Sequence, residues 1–280
     1  MTVSVNERRE RVRLLVRQRD PARYTCSLFA PADKRQQLFG LIAFHHELAQ
    51  AVDRVSEPML AHIRLAWWRE VLTEIAGGEC RRHDVVESLA ALLKANSGVA
   101  SSALSAMIDA REDEVEATQP ADIEAYTKAA RRPAEALAAA MLDCLQVSAP
   151  EARQAALAAA TAWAMAGQLQ SLGFHAQYAE MVLPSDVMAR HDLTPQEIIG
   201  GTDSDPLRAA VAEVLAAAAP WMTKARGHGR QARAVGYLAI MAGRLQKRFQ
   251  AVGHNPFDGR LIAPDTGALF ALSWRAWTGR

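Results

Sequence analysis

Phe44-His45-His46-Glu47-Leu48-Ala49-Gln50-Ala51-Val52-Asp53-Arg54-Val55-Ser56-Glu57-Pro58 closes a helix whose pattern begins near Asp33. Leu38, Leu41, Ile42, His45, Leu48 and Val52 recur at steps of three and four, which places them on one helical face. His46, Gln50 and Asp53 recur at steps of four and three and form a second, polar stripe. On a helix this apolar, such a stripe is either a solvated face or the wall of a site.

Outward from this stretch, nearly every segment carries helical period and no alternating strand run stands out. Ser56-Glu57-Pro58 is a start signal for a helix to about Ala76, with Leu60, Ile63, Trp67, Val71 and Ile75 as its expected buried line. Gly77-Gly78 stops it. Helices are expected over about 85–94, broken at Asn96-Ser97-Gly98, and over about 102–116. Asp122 is expected to cap a helix carrying Ile123 and Tyr126 that Pro133 interrupts. The alanine-rich segments 133–145 and 150–172 read as interior helices, because small side chains admit close neighbours. Residues 181–206, with Pro184, Pro195, Pro206 and Gly200-Gly201, read as the longest irregular region. Helices over about 206–225 and 229–252 follow, and the tail carries Phe270, Trp274 and Trp277. The expectation is a single all-α domain over 1–280, with a basic helix at 1–20 and an aromatic tail at 260–280.

The 280 residues are 50% apolar and 22% charged, ordinary for a globular chain with a substantial core. Lys and Arg number 32 against 31 Asp and Glu, so no nucleic-acid partner is expected. Cys26, Cys80 and Cys144 lack any ligand spacing and read as reduced thiols in a cytoplasmic setting. No signal-peptide core is present, and the apolar run from Ala155 to Ala166 is too short to span a bilayer. The arginine-rich segment Glu7 to Arg19 has the look of a transit peptide. Glu7 and Glu10 argue against that, and Val12, Leu15 and Val16 fit a first helix packed on the body.

Tyr24-Thr25-Cys26-Ser27-Leu28-Phe29-Ala30-Pro31, Arg35 and Ala43-Phe44 resemble the opening of the squalene/phytoene synthase family. Val182-Leu183-Pro184, Gly236-Tyr237-Leu238 and Asn255-Pro256-Phe257-Asp258 resemble its later segments, so the similarity runs through most of the chain. The resemblance implies an isoprenoid-synthase-like helical bundle around a central cavity, with two aspartate-rich segments on facing helices. In the family those carboxylates hold Mg²⁺, and Mg²⁺ neutralises the diphosphates that leave two prenyl substrates.

This chain departs from that pattern. Ala49 and Gln50 stand where the first segment has its leading aspartates, and only Asp53 matches. Ser171 and His175 stand at the aspartate positions of the second segment, and Gly167 at its preceding asparagine. Glu47-Leu48-Ala49-Gln50, Asp53, Val55-Ser56-Glu57, Ile63-Arg64 and Trp68 resemble the branch that contains the mitochondrial complex I assembly factor, which has lost these aspartates. That resemblance implies a non-catalytic protein that supports respiratory complex I assembly or binds an isoprenoid-type lipid. Its partner would be a complex I subunit or assembly intermediate, with no cofactor and a place at the periphery of the inner membrane. The alternative is an active head-to-head prenyltransferase that condenses two prenyl diphosphates and needs Mg²⁺. An inert helical scaffold is a third reading.

The candidate cavity residues are His46, Gln50, Asp53, Arg64, Trp68, Tyr126, Arg131, Ser171 and His175. No residue is assigned as catalytic. His46, Gln50 and Asp53 with His175 read as a transition-metal site or as a plain hydrogen-bond network lining the cavity, and the network is the simpler reading. Asp109, Glu112, Asp113 and Glu116 share one helical face, which makes Asp109 and Asp113 metal candidates beside Asp53; a solvated face or a basic partner are the alternatives. Arg131 is a candidate for steering a diphosphate or an anionic head group. In the tail, packing against the bundle competes with contact at a membrane interface, which tryptophan beside arginine suits.

Overall fold

The computed structural model describes residues 4–53, 57–95 and 98–278, apart from the side chain of Asp53. The expected start signal at Ser56, the break at Asn96-Ser97 and the terminal Arg280 therefore lie outside the described residues. The described residues hold helices and turns and no strand, in agreement with the all-α expectation. The chain divides into two compact units.

Unit one comprises Met1–Ala117, Glu135–Arg153 and His228–Val235. It opens with α1 (Val5–Arg19), started by a reciprocal capping box between Ser4 and Glu7. Val12 and Val16 are buried, so this arginine-rich segment is a packed first helix, as its apolar spacing implied. Asp20 caps α2 (Pro21–Ser27) through the Arg23 backbone amide. The helix of the opening stretch is α3 (Ala32–Asp53), followed by α4 (Pro58–Ala76), α5 (Asp84–Lys94) and α6 (Ser101–Val115). α3 touches α1, α2, α4, α5 and α6, and Leu38, Leu41, Ile42, Phe44 and Leu48 are fully buried along it. That places the helix with the polar stripe at the centre of the unit.

The register of α4 differs from expectation. Its buried residues are Ala61, Leu65, Trp68, Val71 and Leu72, whereas Leu60 and Ile63 are exposed and Trp67 is half-buried. Both arcs of the helix are apolar, and the arc against α3 and α6 is the one set by Trp68, whose ring packs edge-on to Phe44 at 5.1 Å. The N-cap is Glu57, with Pro58 in the first turn, and Gly77 ends the helix as expected.

α7 (Ile123–Cys144) runs on through Pro133 rather than breaking there. The interior proline leaves one carbonyl without its helical donor. Burial on both sides of it, at Tyr126 and Ala130 before and Leu137 and Met141 after, keeps the helix continuous. Asp122 caps this helix through the Ala125 amide at 2.8 Å.

Unit two comprises Thr118–Ala134, Gln154–Gly227 and Gly236–Arg280. α8 (Pro150–Gln170) is buried from Ala155 to Leu169 at almost every inward step, which fits its alanine content. After α9 (Leu172–Gln177), the segment expected to be irregular holds two short helices, α10 (Ser185–Arg190) and α11 (Pro195–Ile199). α11 has its own capping box between Thr194 and Glu197, a signal too short for periodicity to register. α12 (Asp205–Ala216) and α13 (Ala219–Lys224) replace one expected helix. α14 (Arg233–Gly236) precedes α15 (Leu238–Ala251). The tail then forms a 3₁₀ turn at Gly259–Leu261 and α16 (Ala268–Thr278). Leu169, Leu172, Val187, Val211, Leu245 and Phe249 belong to the core of this unit.

Candidate functional site

In unit one, α3 and α4 present the first set of candidate residues. Gln50, Arg64 and Trp68 come together on a cleft of about 580 Å³, with Glu47, Ala51, Ile63, Trp67 and His83 completing its lining. Trp67 and Trp68 meet edge-on at 4.8 Å, and His83 packs against both. Arg81 lies over the Trp67 ring at 5.3 Å while its guanidinium holds Glu74. His83 Nδ1 accepts from the Val85 amide, which starts α5 and fixes the ring. Glu47, Trp67 and His83 were not singled out as site residues from sequence, and only the adjacency of two tryptophans hinted at an aromatic wall.

His46 is half-buried on α3 and does not line this cleft. Its neighbour His45 faces α6, where Arg111 donates to Nε2 at 3.2 Å and itself binds Glu114. Burial, and then the Arg111 charge, hold the His45 imidazole well below its ordinary pKa, so it is neutral and its proton sits on Nδ1. Asp53 ends α3, and its side chain lies outside the described residues.

Of the four carboxylates at positions 109, 112, 113 and 116, Asp109 and Glu112 share a basic partner within their own unit. Arg69 of α4 donates to Asp109 at 2.6 Å and to both oxygens of Glu112, and His62 lies 3.4 Å from Glu116. Asp109 is therefore engaged by a guanidinium rather than poised for a metal, and Asp113 stays exposed on the same helix.

In unit two, Tyr126 is fully buried and its hydroxyl donates to the Met165 carbonyl at 2.5 Å. Burial raises its pKa, which keeps it a hydrogen-bond donor. Arg131 is exposed, with its guanidinium over Trp221 at 5.8 Å; Lys224 approaches the same ring at 4.7 Å. Ser171 lines a cleft of about 680 Å³ together with Gly167, Phe174, Ile198, Phe257 and Asp258. Its hydroxyl donates to the carbonyls of Gly167 and Gln168. His175 turns instead to Glu180, with Nδ1 2.7 Å from Oε2. Phe257 closes over Gly173, where a Cβ would stand 3.3 Å from its ring. At Gly167 the position of a Cβ is open space.

The described lining of the unit-two cleft does not fit a Mg²⁺-diphosphate site. Mg²⁺ takes hard oxygen ligands, chiefly carboxylates and phosphates. The one carboxylate among the lining residues of the unit-two cleft, Asp258, is held by both Arg260 Nε and Nη2. That contact, with the Arg260 amide, lowers its pKa to about 2. Among the described residues no group of three His, Cys, Asp or Glu side chains is placed to hold a metal ion.

The sequence model of squalene/phytoene synthase matches residues 16–272. The chain belongs to the squalene/phytoene synthase family. Solved structures share its fold: a dehydrosqualene synthase in complex with ligand, at TM-score 0.80 and 13% identity over 98% of each chain, is one. Squalene synthase HpnC from Alicyclobacillus acidocaldarius is another, at TM-score 0.74 and 18% identity over 91% of this chain and 98% of that one. Among curated proteins, this family member is 25% identical to "NADH dehydrogenase (ubiquinone) complex I, assembly factor 6" of Bos taurus, over 93% of its length and 80% of the relative's. The Homo sapiens protein of the same name is 24% identical over the same shares.

Proposed function

We propose that this chain is a non-catalytic squalene/phytoene synthase family member that supports assembly of respiratory complex I. The observation that carries the reading is the unit-two cleft. Where the family resemblance calls for two aspartates and a preceding asparagine, the chain has Ser171, His175 and Gly167, and the one carboxylate lining the cleft, Asp258, is already bound to Arg260. Relatives named as complex I assembly factors, matched over most of both chains, point the same way. On this reading no Mg²⁺ is required, and the clefts bind a protein partner or an isoprenoid-type lipid without ionising it. The family match crosses both units, which supports their working as one functional domain. Deleting the gene and resolving complex I on native gels tests the role. The expected result is loss of the mature complex with accumulation of a subassembly, restored by the wild-type gene. Full assembly in the deletion strain would overturn the assignment.

A peripheral position at the inner membrane belongs to the same proposal. Among the described residues no helix is long and apolar enough to cross a membrane. α16 packs inward through Ala268 and Leu272, yet its outer face shows Phe270 75% and Trp277 80% exposed, beside Leu269 and Trp274. No acidic residue lies in that helix, and Arg275 is its one charge. Tryptophan with arginine suits the head-group region of an anionic bilayer. Co-sedimentation with vesicles of phosphatidylcholine and phosphatidylglycerol is expected to fall roughly tenfold for Trp274→Ala/Trp277→Ala, since burying two large rings contributes several kcal/mol at full insertion and less at the surface. Unchanged binding by that variant would remove α16 from the contact.

A further inference from the structure

The outer side of α4 carries an apolar line that unit one leaves uncovered. Met59, Leu60 and Ile63 are 65%, 43% and 58% exposed. Leu60, Ile63 and Trp67 fall at i, i+3 and i+7, the spacing at which one helix offers anchors to another. The opposite arc already meets the core through Ala61, Leu65, Trp68 and Leu72. A helix that is apolar on both sides is ordinarily buried on both.

We propose that this face of α4, with the adjoining cleft of Glu47, Arg64 and Trp67, docks an amphipathic helix of a partner protein. The inference deepens the assembly reading and rests on it in one respect: the chain works by holding a protein rather than by turning over a substrate. Charge decides the occupant. Glu47 and Arg64 both face the cleft, and among the described residues neither has an ion-pair or hydrogen-bond partner. A helix with an apolar stripe flanked by a basic and an acidic side chain fills the groove and completes both pairs. An anionic bilayer would meet the Glu47 carboxylate at the same place, unlike the acid-free α16. Trp67 is the natural anchor, since its ring is already braced by Arg81, Trp68 and His83 and loses little freedom on binding.

The test is photocrosslinking in cells, with a benzophenone amino acid at Ile63 of the full chain and the crosslinked peptide sequenced. The expected adduct is a helical segment of another protein with a basic residue beside its apolar stripe. Its yield should drop about tenfold in the charge-swapped Glu47→Lys/Arg64→Glu background, where both pairs become like-charged, and also with Trp67→Ala. Thermal melting of each variant confirms that the chain still folds. Adducts confined to a second copy of the chain or to lipid, or a yield that neither substitution changes, would overturn the docking surface. Failure of the two proposals is distinguishable. A mapped protein adduct with normal complex I in the deletion strain sustains the docking surface and removes the assembly role. Impaired complex I with no protein adduct at Ile63 does the reverse.

Discussion

At the scale of single residues, three side-chain positions make the fold testable. Gly98 has φ +85°, and a Cβ there would stand 2.8 Å from the Asp143 carbonyl oxygen. Gly98→Ala combines left-handed strain with a clash against backbone, so a loss of about 1–3 kcal/mol is expected in urea unfolding. Tyr126→Phe removes the hydroxyl that reaches the Met165 carbonyl inside the unit-two core, with an expected cost of about 1 kcal/mol by the same measurement. His45 sets a pH dependence. Its folded pKa is depressed by burial and by Arg111, so below about 6.5 the unfolded chain binds a proton that the folded chain does not. The contribution is fully present above the unfolded pKa and is lost as pH falls toward the depressed folded value. Urea midpoints should therefore decline from pH 7 to pH 5, and His45→Gln should flatten that decline.

At the scale of elements, the α4–α6 contact is held by Arg69 on Asp109 and Glu112. The cluster is partly solvated, so Arg69→Met is expected to cost only about 0.5–1 kcal/mol in thermal unfolding, less at high salt. The same helix shows where sequence reasoning stops. Periodicity identified α4 and its end at Gly77, but Leu60-Ile63-Trp67 and Ala61-Leu65-Trp68 are both apolar arcs. Nothing in a helical period says which arc meets α3; Phe44 against Trp68 decides it, and that contact is long-range. Pro133 was legible as a breaker by local rules, which burial along α7 overrides. α10 and α11 were missed because five or six residues cannot establish a period, although the Thr194–Glu197 box was readable. By contrast α8 followed directly from its alanines.

At the scale of the whole molecule, the family and its all-α fold were legible from motifs spread along the chain, and the match over residues 16–272 bears this out. The site was legible in a narrower sense. The positions Gln50, Ser171 and His175 could be read against the family's acids. Their surroundings could not, because Ser171 shares its cleft with Ile198, Phe257 and Asp258, residues far from it along the chain. The cleft itself depends on close approaches such as Phe257 over Gly173, which are tertiary facts. The central claim is that this chain keeps the synthase fold without synthase turnover. The direct measurement is pyrophosphate release by the purified chain supplied with farnesyl or geranylgeranyl diphosphate and Mg²⁺. The proposed role predicts release no faster than the protein-free blank. Turnover above that blank, abolished by Asp53→Ala, would contradict it.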